Sequence, residues 1–362
     1  MAMRTIPGHP ALRGLPAIWL CDSCSCNECR DRHSGQRLFN VTDLPADVAV
    51  DSVTVTGDAV EVVFGPDKHR ATFEASWLAR FGTECSAALD ERTEAAKRLW
   101  TAGQIAANLP EGNWPRYLID GAHREECLHA LLTDGFVLLH DVPAEPGTVL
   151  TVAGSMGFVR ETNYGRLFDV RVEATPDNLA FTGLPIAPHT DNPYRDPVPT
   201  VQLLHCLASA AEGGESVLVD GFLAAARLRA HDPASFDLLA GTPVTFGYSD
   251  GTAELRATRP MIGVDPLGRI REIRFNNRSL LPICLPPDQM AEFYAAYRAF
   301  AELISAPELM LTFRLGPGDC VLFDNTRILH ARTAFAATGQ RHLQGCYADL
   351  DGVTSTLSVL RR

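Results

Sequence analysis

A histidine and an aspartate stand two residues apart in the segment Pro-His-Thr-Asp-Asn-Pro-Tyr at 188–194. On an extended strand, His189 and Asp191 project from the same face, because side chains alternate with a period of two. An imidazole and a carboxylate on one face supply two ligands of the 2-His-1-carboxylate set, which suits non-haem Fe(II) and leaves coordination positions open. His330 is the natural third ligand, since it follows a Gly-Pro-Gly-Asp turn and an apolar run typical of a buried strand.

An arginine further along the chain extends this set. Arg341 lies eleven residues after His330, in the predicted strand Gly-Gln-Arg-His-Leu-Gln-Gly-Cys-Tyr. A fixed guanidinium beside three metal ligands holds a carboxylate through two parallel hydrogen bonds, as a 2-oxoglutarate co-substrate requires. A His-x-Asp pair alone is also typical of two surface residues or of a hydrogen-bonded pair. The presence of His330 and Arg341 further along the chain favours a metal site.

A second metal site is predicted near the N-terminus. Cys24, Cys26 and Cys29 place three thiols within six residues, close enough to share one ion. The alternative is a set of three reduced surface thiols. Cys21 is a spare thiol that we leave out of the ligand set, although it could compete with Cys24.

The composition limits the class of protein. A chain of 362 residues with 46% apolar content has ample capacity for a core, in two domains or one large one. The net charge of −12 argues against non-specific nucleic-acid binding, which requires basic patches. The sequence has neither an apolar run of membrane-spanning length nor a secretory leader at Met1. Together with the clustered cysteines, this predicts a reducing cytoplasmic compartment.

The pattern of elements predicts a small N-terminal β domain at 1–90, a linker at 91–115 and a larger domain at 116–362. Short strands dominate, with few long helices, which indicates a mostly β protein with flanking helices, built as a double-sheet jelly roll of the cupin type. In the small domain, strands are expected at 17–20, 53–56, 59–64 and 71–73. Outside it, the main helices are expected at 87–106, 123–133, 220–230, 232–240 and 287–304. Strands are expected there at 136–140, 166–173, 199–207, 216–220, 243–248, 258–264, 269–276, 309–314, 319–324 and 341–348.

Several motifs together resemble the taurine dioxygenase-like superfamily of Fe(II)/2-oxoglutarate oxygenases, and within it the γ-butyrobetaine/trimethyllysine hydroxylase branch. The resemblance covers nearly the whole chain and includes the N-terminal Cys-x-Cys-x-x-Cys. The other motifs that carry it are His-Thr-Asp (189–191), Val-Gln-Leu-Leu-His-Cys (201–206), Gly-Gly-Glu-Ser-Val-Leu-Val-Asp-Gly-Phe (213–222), Phe-Asn-Asn (275–277) and Arg-His-Leu-Gln-Gly-Cys-Tyr-Ala-Asp (341–349).

The resemblance implies a double-stranded β-helix catalytic domain behind a small zinc domain. It implies that His189, Asp191 and His330 hold Fe(II), and that Arg341 binds the C5 carboxylate of 2-oxoglutarate with help from the hydroxyl of Ser216. Asn178 matches an asparagine that the family uses near co-substrate and substrate. His69 is implied as the fourth ligand of a closed structural zinc site with Cys24, Cys26 and Cys29.

For the substrate, the resemblance implies an aromatic cage around a trimethylammonium group at Tyr164, Phe168, Phe181 and Tyr347, because ring faces attract a cation that cannot donate hydrogen bonds. Phe168 and Phe181 replace Trp and Tyr of the animal γ-butyrobetaine enzymes. Core packing is the alternative for each ring.

Polar side chains are expected at the other end of the substrate. One of Asn276 and Asn277 matches a contact to its carboxylate. Arg278 departs from the animal enzymes, and if it faces the pocket it adds a fork for a carboxylate or phosphonate.

The sequence therefore predicts a hydroxylase of a small quaternary-ammonium zwitterion, γ-butyrobetaine or 2-(trimethylammonio)ethylphosphonate, that uses Fe(II), 2-oxoglutarate and O2, with ascorbate as reductant. One alternative keeps the chemistry and changes the substrate to an amino acid or natural-product intermediate. Another is a non-catalytic metal-binding protein on the same barrel. The resemblance also suggests a homodimer, and neither nucleic acid nor membrane is an expected partner.

Overall fold

The computed structural model describes residues 14–79, 81, 97–171, 182–210, 213–335 and 341–362. The chain divides into two compact units, Met1–Glu94 and Ala95–Arg362. Residues 97–115, expected in the linker, contribute a short helix and a strand to the second unit. Of the helix expected at 87–106, residues 87–96 lie outside the described residues, residues 97–101 are not helical, and only Ala102–Ala106 forms a helix.

Alternating apolar residues build a three-stranded antiparallel sheet in the N-terminal unit. Its strands in the order β1-β2-β3 are Ala49–Thr56, Ala59–Gly65 and Arg70–Glu74. Val60, Val62 and Phe64 of β2 are fully buried on one face, as the period of two predicts.

The predicted strand at 17–20 is wrong. These residues begin α1, Ala17–Asp22, whose Leu20 and Cys21 pack into the core of the N-terminal unit. A short apolar run fits a strand or one buried turn of helix equally well, and here packing against the sheet decides for the helix. The unit also contains α2, Ala75–Leu78.

The second unit consists of strands β4 to β17 and helices α3 to α10. The strands are Glu111–Asn113, Phe136–His140, Phe168–Arg171, Ile186–His189, Val201–Ser209, Ser216–Asp220, Val244–Ser249, Glu254–Arg259, Ile262–Val264, Ile270–Ile273, Leu311–Phe313, Cys320–Asp324, Ile328–Arg332 and Arg341–Ala348. The helices are Ala102–Ala106, Trp114–Ile119, Gly121–Thr133, Thr148–Gly154, Gly221–His231, Pro233–Gly241, Pro287–Ile304 and Leu350–Leu360. The single strand expected at 258–264 is instead the end of β11 and all of β12, which pair with different neighbours.

Two sheets form the double-stranded β-helix that the sequence predicts. One has the order β4-β5-β15-β8-β17-β6 and the other β14-β9-β16-β7, and their strand pairs are antiparallel except for β4 with β5. A cluster that includes Cys206, Leu343 and Phe323 of the first sheet and Leu218 and Ile328 of the second fills the space between them. Helices α4, α5, α6 and α10 cover the outer face of the first sheet, and α7, α8 and α9 cover that of the second.

Alternation along the strands decides which side chains reach the interior of the barrel. On β17, Cys346 and Ala348 pack against the outer helices, whereas Arg341, Leu343 and Tyr347 line a cavity between the sheets. The same rule applies to β8, where Gln202 and Leu204 line the cavity and their neighbours face outward.

A buried ion pair fixes the edge of the barrel. Arg327 and Asp220 are both fully buried, with Nη2 of Arg327 2.8 Å from Oδ2 of Asp220. The guanidinium also donates to the carbonyls of Arg98 and Thr133, and the carboxylate accepts from the backbone N–H of Trp100. The pair therefore attaches residues 98–100, near the start of the second unit, to the end of strand β9.

Replacement of Arg327 by Met should lower the free energy of unfolding by about 3–5 kcal/mol, because the buried Asp220 carboxylate would lose its counter-charge. Chemical denaturation followed by circular dichroism measures the change. Arg298→Met is the matched control, since Arg298 forms an exposed pair with Glu302 within α9, and this variant should unfold like the parent protein. Equal stability of the two variants would contradict the assigned role of Arg327.

Candidate active site

Three side chains with metal-binding atoms meet between β7 and β16. His189 ends β7 and lies directly opposite His330 of β16 in the antiparallel register, and their ring centroids are 4.1 Å apart. Asp191 follows two residues later, with Oδ1 3.3 Å from Nε2 of His189. One ligand atom from each residue lies within 4.8 Å of the other two. The arrangement fits a single ion held by two imidazoles and a carboxylate.

The protonation states at this cluster favour cation binding. Burial opposes the charged form of Asp191, but its contacts with His189 and the nearby His330 hold the pKa of this carboxyl well below its ordinary value. Burial and the neighbouring His189 lower the pKa of His330 to about 3, so its ring is neutral. Nδ1 of His189 lies 2.9 Å from the carbonyl of Ala187, and donation to this carbonyl leaves Nε2 with a free lone pair.

Neighbouring polar side chains hold Asp191 in place. Nε2 of Gln202 and the hydroxyl of Tyr347 both donate to Oδ2 of Asp191, over 2.8 and 2.9 Å. Asn325 fixes the backbone, since its Oδ1 accepts from the N–H of Asp191 and its Nδ2 donates to the carbonyl of the same residue. Sequence reasoning assigned none of these contacts, because residues distant in sequence make them.

A cavity of about 500 Å³ opens beside the three ligands. Arg341 and Ser216 both line it, as expected for residues that bind a co-substrate carboxylate. A Cβ at Gly214 would lie 3.1 Å from Nε of Arg341, so a side chain at this position would crowd the guanidinium. Arg332, which the sequence did not single out, lines the same cavity opposite Ser216 in the strand register and places a second guanidinium in this wall.

Aromatic rings form another wall of the cavity. Tyr164, Phe168 and Tyr347 all line it, with ring centroids 6.3 Å apart for the first pair and 5.2 Å for the second. The ring of Phe168 lies over Gly345, where an added Cβ would come within 2.4 Å of it. Phe181 and Asn178 lie outside the described residues.

Two further tyrosines join this wall and were missed. Tyr194 stacks on Tyr248 with a centroid distance of 5.1 Å, and its hydroxyl lies 3.0 Å from that of Tyr164. Tyr194 stands three residues after Asp191, so its closeness to the metal ligand was a usable signal. Tyr248 comes from β10 and carries no local signal in the sequence.

The polar residues expected near the substrate lie in different environments. Asn276 is buried at the cavity wall, where Nδ2 donates to the carbonyl of Thr190 and Oδ1 accepts from the N–H of Arg278. Asn277 is exposed and is not a lining residue. Arg278 lines the cavity, and its guanidinium has no hydrogen-bond or ion-pair partner within the part of the chain that the structure describes. Asn192, also a lining residue, is buried with both amide atoms unpartnered in that part.

The N-terminal unit brings together the second predicted ligand set. Nε2 of His69 lies 3.3, 4.0 and 3.4 Å from the sulfurs of Cys24, Cys26 and Cys29. The four donor atoms are within 4.8 Å of one another, and three thiols with one imidazole suit a tetrahedral Zn(II) site. Cys21 is buried nearby but is not part of the four-residue group.

Comparison with known proteins identifies the family of both parts of the chain. The family model "Taurine catabolism dioxygenase TauD, TfdA family" matches residues 100–347, and "Gamma-butyrobetaine hydroxylase-like, N-terminal" matches residues 12–79. The γ-butyrobetaine dioxygenase of Pseudomonas sp. (strain AK-1) is 39% identical over 95% of this chain and 90% of that protein. The Homo sapiens γ-butyrobetaine dioxygenase is 32% identical over 96% of this chain and 91% of its own length.

A solved structure supports the fold. The non-heme iron oxygenase OrfP, in complex with Fe and alpha-ketoglutaric acid, superposes with a TM-score of 0.51 at 14% identity, over 70% of this chain and 87% of its own. At this identity the similarity concerns the fold alone. Among the described residues, no helix has the length and apolar character needed to cross a bilayer.

Replacement of Cys29 by Ser should remove zinc from the N-terminal unit and destabilise it, because structural zinc contributes directly to folding. Metal analysis of the purified protein measures the zinc content. Cys284→Ser is the control, since Cys284 is an exposed cysteine outside the cluster. Burial raises the pKa of Cys24 and Cys29, so protons compete with zinc for these thiols and zinc retention should fall as the pH is lowered. Zinc content that is unchanged in Cys29→Ser would contradict the site.

Proposed function

Because this chain belongs to the taurine catabolism dioxygenase TauD, TfdA family, we propose that it hydroxylates an unactivated C–H bond of a small quaternary-ammonium zwitterion. The chain is an Fe(II)/2-oxoglutarate-dependent dioxygenase with a double-stranded β-helix catalytic unit. γ-Butyrobetaine, the compound named in its 39% identical relative, is the first candidate substrate. 2-(Trimethylammonio)ethylphosphonate is the second.

The chemistry divides between the cofactor and the side chains. His189, Asp191 and His330 would hold Fe(II), which would supply O2-dependent hydroxylation coupled to decarboxylation of 2-oxoglutarate to succinate and CO2. Arg341 binds the C5 carboxylate of 2-oxoglutarate through charge-assisted hydrogen bonds, and Ser216 adds a donor. The apolar walls and the buried lining residues exclude water from the reacting atoms. Ascorbate would serve as the external reductant that keeps the metal ferrous.

The observation that carries the substrate proposal is the convergence of aromatic rings beside the metal ligands. Tyr164, Phe168 and Tyr347 line the same cavity as His189, and Tyr347 reaches Asp191 directly. A trimethylammonium group has no N–H to donate, so the faces of aromatic rings are its natural binding partners. Tyr194 and Tyr248 extend this wall, and we assign Phe181 to the same cage from the resemblance.

The anionic end of the proposed substrate requires a positively charged partner in the cavity. Arg278 faces the cavity with its guanidinium unpartnered among the described residues, which suits a carboxylate or phosphonate. Asn276 supports the Arg278 backbone, so its role is to position the arginine. Asn178 remains a proposed contact from the resemblance alone, and of the two neighbouring asparagines it is Asn276, not the exposed Asn277, that lines the cavity.

Assembly and compartment are further parts of the proposal. We expect a homodimer, by resemblance to the branch, and size-exclusion chromatography with light scattering tests it. A reducing cytoplasm is consistent with the described cysteines, which are all free, and with a zinc site that needs reduced thiols.

Purified protein with Fe(II), ascorbate and 2-oxoglutarate should form succinate much faster when γ-butyrobetaine or its phosphonate analogue is added. The product should be heavier by one oxygen atom in mass spectrometry. The carbon isostere 5,5-dimethylhexanoate, which keeps the carboxylate and replaces the trimethylammonium by a tert-butyl group, should stimulate far less, because it lacks the positive charge that the ring faces attract. His189→Ala should abolish turnover. Slow succinate formation that neither ammonium compound changes would discard this substrate class and favour an amino acid or natural-product intermediate.

Replacement of Arg278 by Met should raise KM for both zwitterions by about 10- to 100-fold, the usual worth of a charge-assisted hydrogen bond. The phosphonate should suffer more than the carboxylate because it carries more negative charge. Butyltrimethylammonium, which has no anionic group, should bind the variant and the parent equally. Arg298→Met, a change on the exposed face of α9, is the protein control. A similar loss for the two zwitterions and for butyltrimethylammonium would contradict the assignment.

A further inference from the structure

The carboxylate of Asp191 is divided between two kinds of partner. Its Oδ1 faces Nε2 of His189, on the side where the metal ligands meet. Its Oδ2 accepts two hydrogen bonds, from Gln202 and from Tyr347. We propose that Gln202 and Tyr347 are positioning residues that keep Asp191 a one-oxygen ligand, and that Tyr347 thereby joins the metal site to the substrate cage.

The two donors converge on one oxygen because the pairing of their strands in the sheet places them side by side. Gln202 of β8 and Tyr347 of β17 are direct cross-strand partners in the antiparallel register, and both point into the barrel. Each is almost completely buried, so neither donor has water as an alternative partner. The backbone of Asp191 is fixed separately by Asn325. The position of the Asp191 carboxylate is therefore fixed by Asn325, and the positions of the two donors are fixed by strands β8 and β17.

The division of the carboxylate matters for the metal. An ionised carboxylate offers two oxygens, and a metal binds it through one or both. If Oδ2 also bound the ion, it would occupy a position that 2-oxoglutarate or O2 needs. Two hydrogen bonds to Oδ2 satisfy that oxygen before the metal arrives. Such support of a ligand by neighbouring hydrogen bonds typically changes metal affinity or activity by about 10- to 100-fold.

Tyr347 has a second contact that Gln202 lacks. Its ring lies 5.2 Å from that of Phe168 and forms part of the aromatic wall, while its hydroxyl holds Asp191. The ring and the hydroxyl can be tested separately, because phenylalanine keeps the first and removes the second. The link to the cage rests on the proposed function, whereas the effect on the metal does not.

The decisive experiment compares Tyr347→Phe, Gln202→Leu and Phe168→Leu. Binding of Co(II) is titrated without any organic substrate, and the visible absorption of the Co(II) protein reports the coordination of the ion. Tyr347→Phe and Gln202→Leu should each weaken Co(II) binding by about 10- to 100-fold and alter the spectrum. Phe168→Leu should leave both unchanged, because Phe168 does not contact Asp191.

Steady-state kinetics at saturating Fe(II) then separate the two roles of Tyr347. Tyr347→Phe should lower kcat and leave KM for the ammonium substrate within about twofold, since the ring that binds the cation is retained. Phe168→Leu should raise KM.

Unchanged Co(II) affinity and spectrum in both Tyr347→Phe and Gln202→Leu would overturn the proposal. A raised KM with unchanged metal binding in Tyr347→Phe would reduce Tyr347 to a wall of the cage. If neither ammonium compound is a substrate, the metal titration still decides the positioning role.

Discussion

The antiparallel pairing of β7 with β16 is the constraint on which the rest of the catalytic unit depends. It places His330 opposite His189 and brings the third ligand to the other two from a distant part of the chain. The strand continues beyond His330 to Arg332, opposite Ser216 on β9. A shift of β16 by one residue in this register would turn His330 and Arg332 to the helix-covered face. Helices α7 to α9 prevent that shift, because they bury the alternate residues Leu329 and Ala331.

The same alternation lets a hydrophobic barrel hold a charged site. Outward-facing residues of both sheets supply the apolar contacts, so the inward positions near the open end are free for polar side chains. The lining of the cavity combines one carboxylate, that of Asp191, with the guanidiniums of Arg278, Arg332 and Arg341. Burial lowers the pKa of Arg332 to about 10, with the nearby Arg341 and Arg278 adding to the effect. Three cationic groups in one cavity favour anionic ligands, which agrees with a dicarboxylate co-substrate and a substrate with one acidic end.

Much of the site was predictable because local pattern and residue type carry it. His189, Asp191, His330 and Arg341 follow from spacing on strands, and the bounds of α9 and β17 agree with the apolar periodicity of residues 287–304 and 341–348. Contacts between distant strands were not predictable. Nothing near Gln202 in the sequence indicates that it pairs with Tyr347 on the neighbouring strand, or that both reach Asp191. Residues 17–20 were assigned to a strand for a related reason, since a four-residue apolar run does not reveal what it packs against.

Gly345 defines the depth of the aromatic wall by lacking a side chain. Phe168 fills the space above it, and the floor beneath the ring is the backbone of β17. A smaller residue at 168 would thus extend the cavity toward the backbone of β17. Residue 168 would then determine the size of the ammonium group that the cavity accepts, and the metal ligands would not have to change. A change at this one position would suffice for an enzyme that accepts a substrate with a bulkier cation, with the metal ligands and Arg341 unchanged.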